Sequence, residues 1–344
     1  MEIVRRPHAT AFTRWAADKP RVLVLSADLT SSCEADEFRS RYPKRFFSLG
    51  MAEQNLMSFA GGLAREGFFP FVHTFAVFIT RRPFDQVAMS IGYPNLPVRL
   101  LGFLPGLTTP GGVTHQAIDD VALMRAIPNM RILECGDATE VESAPQVAQA
   151  IDGPVYIRML RGEVPRLFPA DAPLQFGKAR LLCQGDAVVV VSSGVCTEEA
   201  MRAVAALRRR RLSVGHVHVS TLAPFGDATL VGAVLGAKLG VVTVENHLAS
   251  GGLGSSVAEV MAEHGGCAPL VRLGLRSYAH GASRKYLMRE YEIDAIAIAC
   301  AVCRCLGIAN QVTDDELAAH DLVVPSANLP DANPAYAPAK AEDL

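Results

Sequence analysis

Nowhere in the 344 residues do apolar side chains run on for the roughly 18 positions that a membrane-crossing helix needs, so no membrane span is expected. The chain also lacks an excess of charge of one sign. Its 33 Lys and Arg stand against 35 Asp and Glu, a formal net charge of -2, which argues against binding nucleic acid through bulk charge. The one basic run, Arg208 to Arg211, is local and reads as a solvated helix end. The start, MEIVRRPHATAFTRW, is basic but turns polar before a signal-peptide core could form. Eight cysteines in a chain this long are too few for a disulfide scaffold and point to a reducing cytoplasm. Cys300, Cys303 and Cys305 share an apolar helical run with no second CxxC or paired histidine nearby, which favours buried thiols over zinc.

What is present is apolar and regular. Half the residues are hydrophobic, and the length allows about two domains of roughly 150 residues. Short β-branched runs at 21–27, 68–73, 97–103, 130–135 and 153–159 alternate with stretches of helical spacing. After an irregular, proline-containing stretch the rhythm resumes, with strands expected in 186–194, 211–220, 239–246 and 269–275. Helices are expected between them near 196–209, 226–236 and 253–264. Strand and helix alternating at this pitch predict an α/β protein of two doubly wound domains with mostly parallel sheets. The boundaries expected are 1–165, a linker at 166–180, 181–310, and an extended or disordered tail at 311–344 rich in Pro, Ala and Asp.

In such sheets ligands sit at the carboxyl ends of strands, and three strand exits are unusual. The first, SADLTSS, carries Asp28 and Leu29. The second, SLGMAEQN, places Glu53 among small and apolar residues where a strand gives way to a helix; a buried carboxylate without a partner is costly and tends to hold its proton. The third, GFLPGLTTPGGVTHQ, ends in His115 at an expected helix start, either a histidine without a role or a ligand group. Phe75 and Phe78 are three apart, on one side of a turn, as core residues or as a stacking platform.

Four blocks, RFFSLGMAEQNLMSFAGGLA, FFPFVHTFAVFITRRPFDQ, GVTHQAIDDVALMRAIPNM and TVENHLASGGLGSSVAEV, resemble the pyrimidine-binding and C-terminal domains of the transketolase family, in order and spacing. The resemblance runs from about residue 5 to 308 and is greatest to the C-terminal subunit of split transketolases. It implies thiamine diphosphate as cofactor, with Glu53 protonating N1′ of the aminopyrimidine, so that the 4′-imino group takes the C2 proton. It implies that Phe75 and Phe78 pack on the pyrimidine and that Asp28, Leu29 and Arg81 line the same pocket. It assigns His115 to catalysis and to the sugar hydroxyls, and Arg161 to an anionic substrate end, with Ser32 and an N-terminal arginine, Arg5, assisting.

Two departures bear on function. Where the family has an acidic GEDGPTH segment, this chain reads TPGGVTH, so Gly111 replaces the Asp that reads a sugar hydroxyl, and Phe103 replaces an upstream histidine. A roomier, less polar pocket and an unusual ketose donor are therefore expected. The family's GDG…N motif for magnesium and diphosphate is absent from the chain. Its Mg2+ ligands are expected in an N-terminal partner subunit carrying that motif, in an α2β2 assembly with self-association through the C-terminal domain. The glycines of ENHLASGGLGSS are expected to be architectural rather than phosphate-binding. The function implied is transfer of a two-carbon ketol unit between sugars. Alternatives are the beta subunit of a 2-oxo acid dehydrogenase decarboxylase component, a deoxyxylulose-phosphate-synthase-like half-enzyme, or a non-catalytic partner.

Overall fold

The computed structural model describes residues 1–318. Its strands are β1 (Ile3–Arg5), β2 (Val22–Ser26), β3 (Phe46–Ser48), β4 (Phe69–Phe75), β5 (Arg99–Phe103), β6 (Arg131–Glu134), β7 (Val155–Met159) and β8 (Glu163–Pro165). There follow β9 (Ala179–Cys183), β10 (Val188–Ser192), β11 (Val214–Val219), β12 (Thr221–Ala223), β13 (Gly240–Leu248) and β14 (Leu270–Leu275). One sheet has the order β12-β6-β7-β5-β4-β2-β3 and is parallel except for β12. The second, β14-β13-β10-β11-β9, is parallel except for β9, and β1 pairs with β8 in a short antiparallel ribbon. The fold is α/β, as the alternation predicts.

β2, β5, β7, β10 and β11 are buried at every position. Central strands covered on both faces need continuous apolar runs, and those runs are what made them legible. β1, β3, β8 and β12 are three residues each and carry no such signal. β9 begins inside the stretch expected as linker. The rest of that stretch is irregular but held: the Asp137 carboxylate accepts from the backbone N–H of Leu167 (2.9 Å) and Phe168 (2.8 Å), both buried.

Two expectations differ from the structure. The stretch 82–92, whose apolar spacing between the strands at 68–73 and 97–103 is helical, is α-helical only over Phe84–Gln86 and then widens into a π-helical turn, Val87–Gly92. It crosses the helix Glu53–Arg65 backbone to backbone, since a β-carbon on Gly61 would lie 2.6 Å from the Ser90 carbonyl oxygen. The expected tail begins with an ordered helical turn, Asp314–Ala318, docked by buried Leu317 and by ion pairs of Arg210 with Glu316 and of Arg289 with Asp314. Residues 319–344 lie outside the described residues.

The two sheets meet at buried polar groups. Arg158, on β7, is fully buried and ion-pairs with Asp120 (2.9 Å) and with Glu134. It also donates to the carbonyl of Asn246 on β13 (2.9 Å), while the Tyr156 hydroxyl donates to Asp120 (2.6 Å). Burial opposes the guanidinium charge, but Asp120 and Glu134 outweigh it and raise the Arg158 pKa. A second junction centres on Glu140, which meets His218 at 3.1 Å, Ser220 at 2.6 Å and Arg180 at 3.3 Å. Burial pushes its carboxyl up, yet His218, Arg180 and Ser220 hold it down to about 2. Among the described residues no helix is long and apolar enough to cross a membrane.

Arg158→Met should cost about 3–5 kcal/mol in urea unfolding, because Asp120 and Glu134 stay buried without their partner. A loss under 1 kcal/mol would show that water or relaxation replaces the guanidinium.

A buried histidine pair lies between β4 and the helix Pro7–Trp15. The His73 Nδ1–H donates to the Phe71 carbonyl (3.1 Å), so its Nε2 accepts from His8 Nε2–H at 2.9 Å. Burial holds His73 down to about 4, below its ordinary 6.5. Between those values the unfolded chain binds a proton that the folded chain refuses, so this contribution to stability is complete above pH 6.5 and is lost as pH falls through about 4. The span corresponds to roughly 3 kcal/mol. In His73→Gln, whose amide oxygen can replace Nε2 as acceptor, the slope of unfolding free energy against pH in this window should fall by about one proton. An unchanged slope would remove His73 from the acid response.

Candidate active site

All but Arg5 of the site residues expected from the sequence stand at the carboxyl edge of the seven-stranded sheet: Asp28, Leu29 and Ser32 after β2, Glu53 after β3, Phe75, Phe78 and Arg81 at the exit of β4, His115 after β5 and Arg161 after β7. The parallel order brings these exits side by side, which is where an open α/β sheet offers a crevice.

The core of the group is aromatic. Phe75 ends β4 and Phe78 follows within the short helix Ala76–Thr80, so their rings fall on one side, stacked with centroids 5.9 Å apart. His115 meets both edge-on, at 6.3 and 5.4 Å, and its Nδ1 lies 2.9 Å from the Thr114 hydroxyl. Glu53 opens the helix Glu53–Arg65, where the unpaired N–H groups of the first turn favour a carboxylate, and is buried. It does not lack a partner, as its apolar sequence neighbours suggested: Arg82 donates to Oε1 at 2.9 Å and holds its guanidinium 4.2 Å from the Phe78 ring centre. Arg82 therefore bridges the carboxylate and the aromatic pair. Phe78 and Arg82 are four apart, a spacing that could have flagged the contact. Arg81 is fixed by Asp119 at 2.9 Å.

Other placements amend the sequence reading. His115 does not start a helix; its N–H closes a turn onto the Gly112 carbonyl (2.9 Å), and the helix begins only at Asp120. Gly111 leaves no spare room, because a β-carbon there would lie 2.9 Å from His115 Cβ and Cγ. Phe103 is fully buried and stacks on His73 at 5.9 Å, so that position is core rather than pocket wall. Asp28 is exposed, with a left-handed backbone (φ 63°) that turns the chain sharply at the strand exit. Leu29 is half-buried.

Arg161 stands with a different set. Its Nη1 donates to the backbone carbonyl of Ser32, not to its hydroxyl. Arg5 is exposed and pairs with Glu163 (3.2 Å) on the β1–β8 ribbon. The glycine-rich block after β13 is architectural: the Glu245 carboxylate accepts from the N–H of Leu253 (2.7 Å) and Gly254 (2.8 Å) at the start of the helix Leu253–Glu263. A β-carbon on Gly252 would come within 1.9 Å of that carboxylate. Cys303 is buried, and the Asn310 side chain donates to Cys300 Sγ at 3.2 Å. No group of three or more His, Cys, Asp or Glu among the described residues could hold a metal ion.

A stacked ring pair, a buried carboxylate and an edge-on imidazole, all at strand exits, suit a flat nitrogen heterocycle. Residues 4–166 match the family described as transketolase, pyrimidine binding domain, and residues 177–298 match transketolase, C-terminal domain. The chain is 41% identical to a transketolase family protein, y4mN, of Sinorhizobium fredii over 256 residues, covering 74% of each chain. It is 35% identical over 297 residues to the 6-deoxy-6-sulfo-D-fructose transketolase subunit SqwH of Clostridium sp., covering 85% of this chain and 91% of that one. Among solved structures it is similar to a split gene transketolase described as an inactive beta4 tetramer, with a TM-score of 0.80, 35% identity and coverage of 88% of this chain and 97% of that one. The chain belongs to the transketolase family, of which it carries the pyrimidine-binding and C-terminal domains.

Proposed function

We propose that this chain is one subunit of a two-polypeptide, thiamine-diphosphate-dependent transketolase that moves a two-carbon ketol unit from a ketose donor to an aldose acceptor. The observation that carries this reading is the convergence of Glu53, Phe75, Phe78 and His115 on one stretch of the sheet's carboxyl edge. The residues present fit the pyrimidine half of the cofactor: two rings inclined 24° to each other offer apolar surface to a flat ring, and a buried carboxylate stands beside them. When bound, thiamine diphosphate supplies the electron sink for breaking and forming the carbon–carbon bond.

The chain's own residues do the rest. Glu53 presents its carboxylate to N1′ of the pyrimidine, where the two share a proton; Arg82 fixes its Oε1, which leaves Oε2 for that contact. Phe75 and Phe78 orient the ring and exclude water from one side of it, with Asp28 and Leu29 on the adjoining loop. Arg81, held by Asp119, shapes the wall rather than acting as a free cation. His115, with Nδ1 at Thr114, turns Nε2 to the sugar hydroxyls and can move a proton there. Arg161 receives the anionic end of the substrate. Magnesium and the diphosphate are assigned to a partner subunit bearing GDG…N, in an α2β2 assembly; the relative named as a subunit and the split-gene structure support this division. The relative's modified donor supports a ketose outside the phosphopentose set.

The test is reconstitution. The purified chain alone should show no ketol transfer, and addition of a partner subunit with cofactor and magnesium should give it. In that complex Glu53→Gln should slow transfer by about 10²–10⁴-fold while circular dichroism stays that of the wild type, since Gln is nearly isosteric. Full turnover by the isolated chain, or a wild-type rate for Glu53→Gln, would overturn the reading.

Gly111→Asp separates two views of the loop. If Gly111 merely leaves a hydroxyl unread, the carboxylate should improve a phosphopentose donor relative to others. Its β-carbon would meet His115 at 2.9 Å, so we expect His115 to be displaced and kcat/KM to fall by tenfold or more, on the order of one lost acid–base or hydrogen-bonding group, for every donor. Improved kcat/KM for D-xylulose 5-phosphate would show that the loop yields instead.

A further inference from the structure

A cavity of about 190 Å³ lies between the two halves of the chain, lined from the first by Leu104, Thr108 and Arg161 and from the second by Val195, Glu198 and Arg284. Its charges do not cancel. Of the two acids on its wall, Glu198 is paired with Arg202 at 2.7 Å and Glu163 with Arg5 at 3.2 Å. The two cations have no such partner among the described residues. Arg161 donates to the Ser32 carbonyl, a neutral acceptor, and Arg284 forms no ion pair there. Val195 brings the amino end of the helix Cys196–Arg209 to the same wall, which adds to the positive potential.

Arg284 is also positioned. It follows Ser283, whose hydroxyl accepts from the Tyr286 N–H at 3.4 Å. The preceding loop packs on the loop that carries His115: the Gln116 side chain donates to the His280 carbonyl at 3.2 Å, and a β-carbon on Gly112 would meet Gly281 N at 3.2 Å. The backbone that carries the arginine and the histidine loop are therefore fixed relative to each other.

We propose that Arg284 and Arg161 together hold a tetrahedral oxyanion, the phosphate or sulfonate at the far end of the sugar, so that the second half of the chain supplies a specificity-determining residue. Two guanidiniums with forked donors suit a tetrahedral oxyanion, and the cavity has room for it and the adjoining carbons. The inference rests on Arg161 gripping the anionic substrate end, as proposed above, and extends it across the domain junction.

The direct test is calorimetric titration of the full chain with inorganic phosphate and with methanesulfonate. We expect saturable binding of at least one anion, weakened about tenfold or more in Arg284→Gln and in Arg161→Gln, and largely kept in Arg284→Lys. The preferred anion tells a phosphosugar from a sulfosugar. In the assembled enzyme, Arg284→Gln should raise KM for D-xylulose 5-phosphate by a similar factor with kcat little changed, and raise KM for neutral L-erythrulose far less. Wild-type anion affinity in Arg284→Gln, no saturable binding by the wild type, or equal KM rises for both donors would overturn the proposal. Anion binding that depends on Arg284 in a complex that transfers no ketol unit would instead sink the transketolase reading and leave the anion site standing.

Discussion

Arg158 is the residue on which the remaining geometry hangs. Its guanidinium is wholly enclosed and its N–H groups are divided among Asp120, Glu134 and the Asn246 carbonyl, so one helix and one strand from each sheet are fixed to one side chain. The histidine loop is gripped from both ends as a result. Asp120 opens the helix just beyond His115, and the Asn246 side chain bonds Pro105 and Leu107 at the loop's start. A buried ion cluster is poor evidence for stability, because an apolar replacement of similar volume can do as well. Its value here is directional: a forked donor satisfied by these acceptors permits one arrangement of the loop and few others.

The architecture was legible to the extent that burial writes itself into sequence. Fully covered strands such as Val188–Ser192 have to be apolar throughout, and the helix Cys196–Arg209 has to alternate at helical period, so both were readable. The short β1, β3, β8 and β12 are stabilised by pairing partners distant in sequence, which no local pattern reports. The site was readable in its residue types and order but not in its contacts. Glu53, Phe75, Phe78 and His115 stood out; the bridge of Arg82 from carboxylate to ring did not, because a second arginine in an Arg-Arg pair looks like surface charge. Gly111 misled for a related reason. Read alone it means space, whereas the space belongs to the neighbouring imidazole.

The two halves of the site have opposite electrostatic characters. Around Glu53 each charge has a counter-charge close by, Arg82 for Glu53 and Asp119 for Arg81. Local neutrality of that kind suits a heterocycle, whose binding is mostly by area and ring stacking. Around Arg161 the nearby acids are engaged elsewhere and cation character is left over. A bound heterocycle on one side and the anionic far end of a substrate on the other would each find its match, and the substrate's orientation would follow without a dedicated steric wall.

The strand β12 has a consequence for how such chains can be recombined. It belongs to the second half of the sequence yet closes the edge of the first sheet, antiparallel to β6. Cutting the gene in the irregular stretch around 166–178 would strip that cover and leave a row of open N–H and C=O groups on β6, a surface prone to pair with other chains. Modules exchanged between relatives would therefore need to travel with their own β12, or be cut so that the closing strand stays with the sheet it completes.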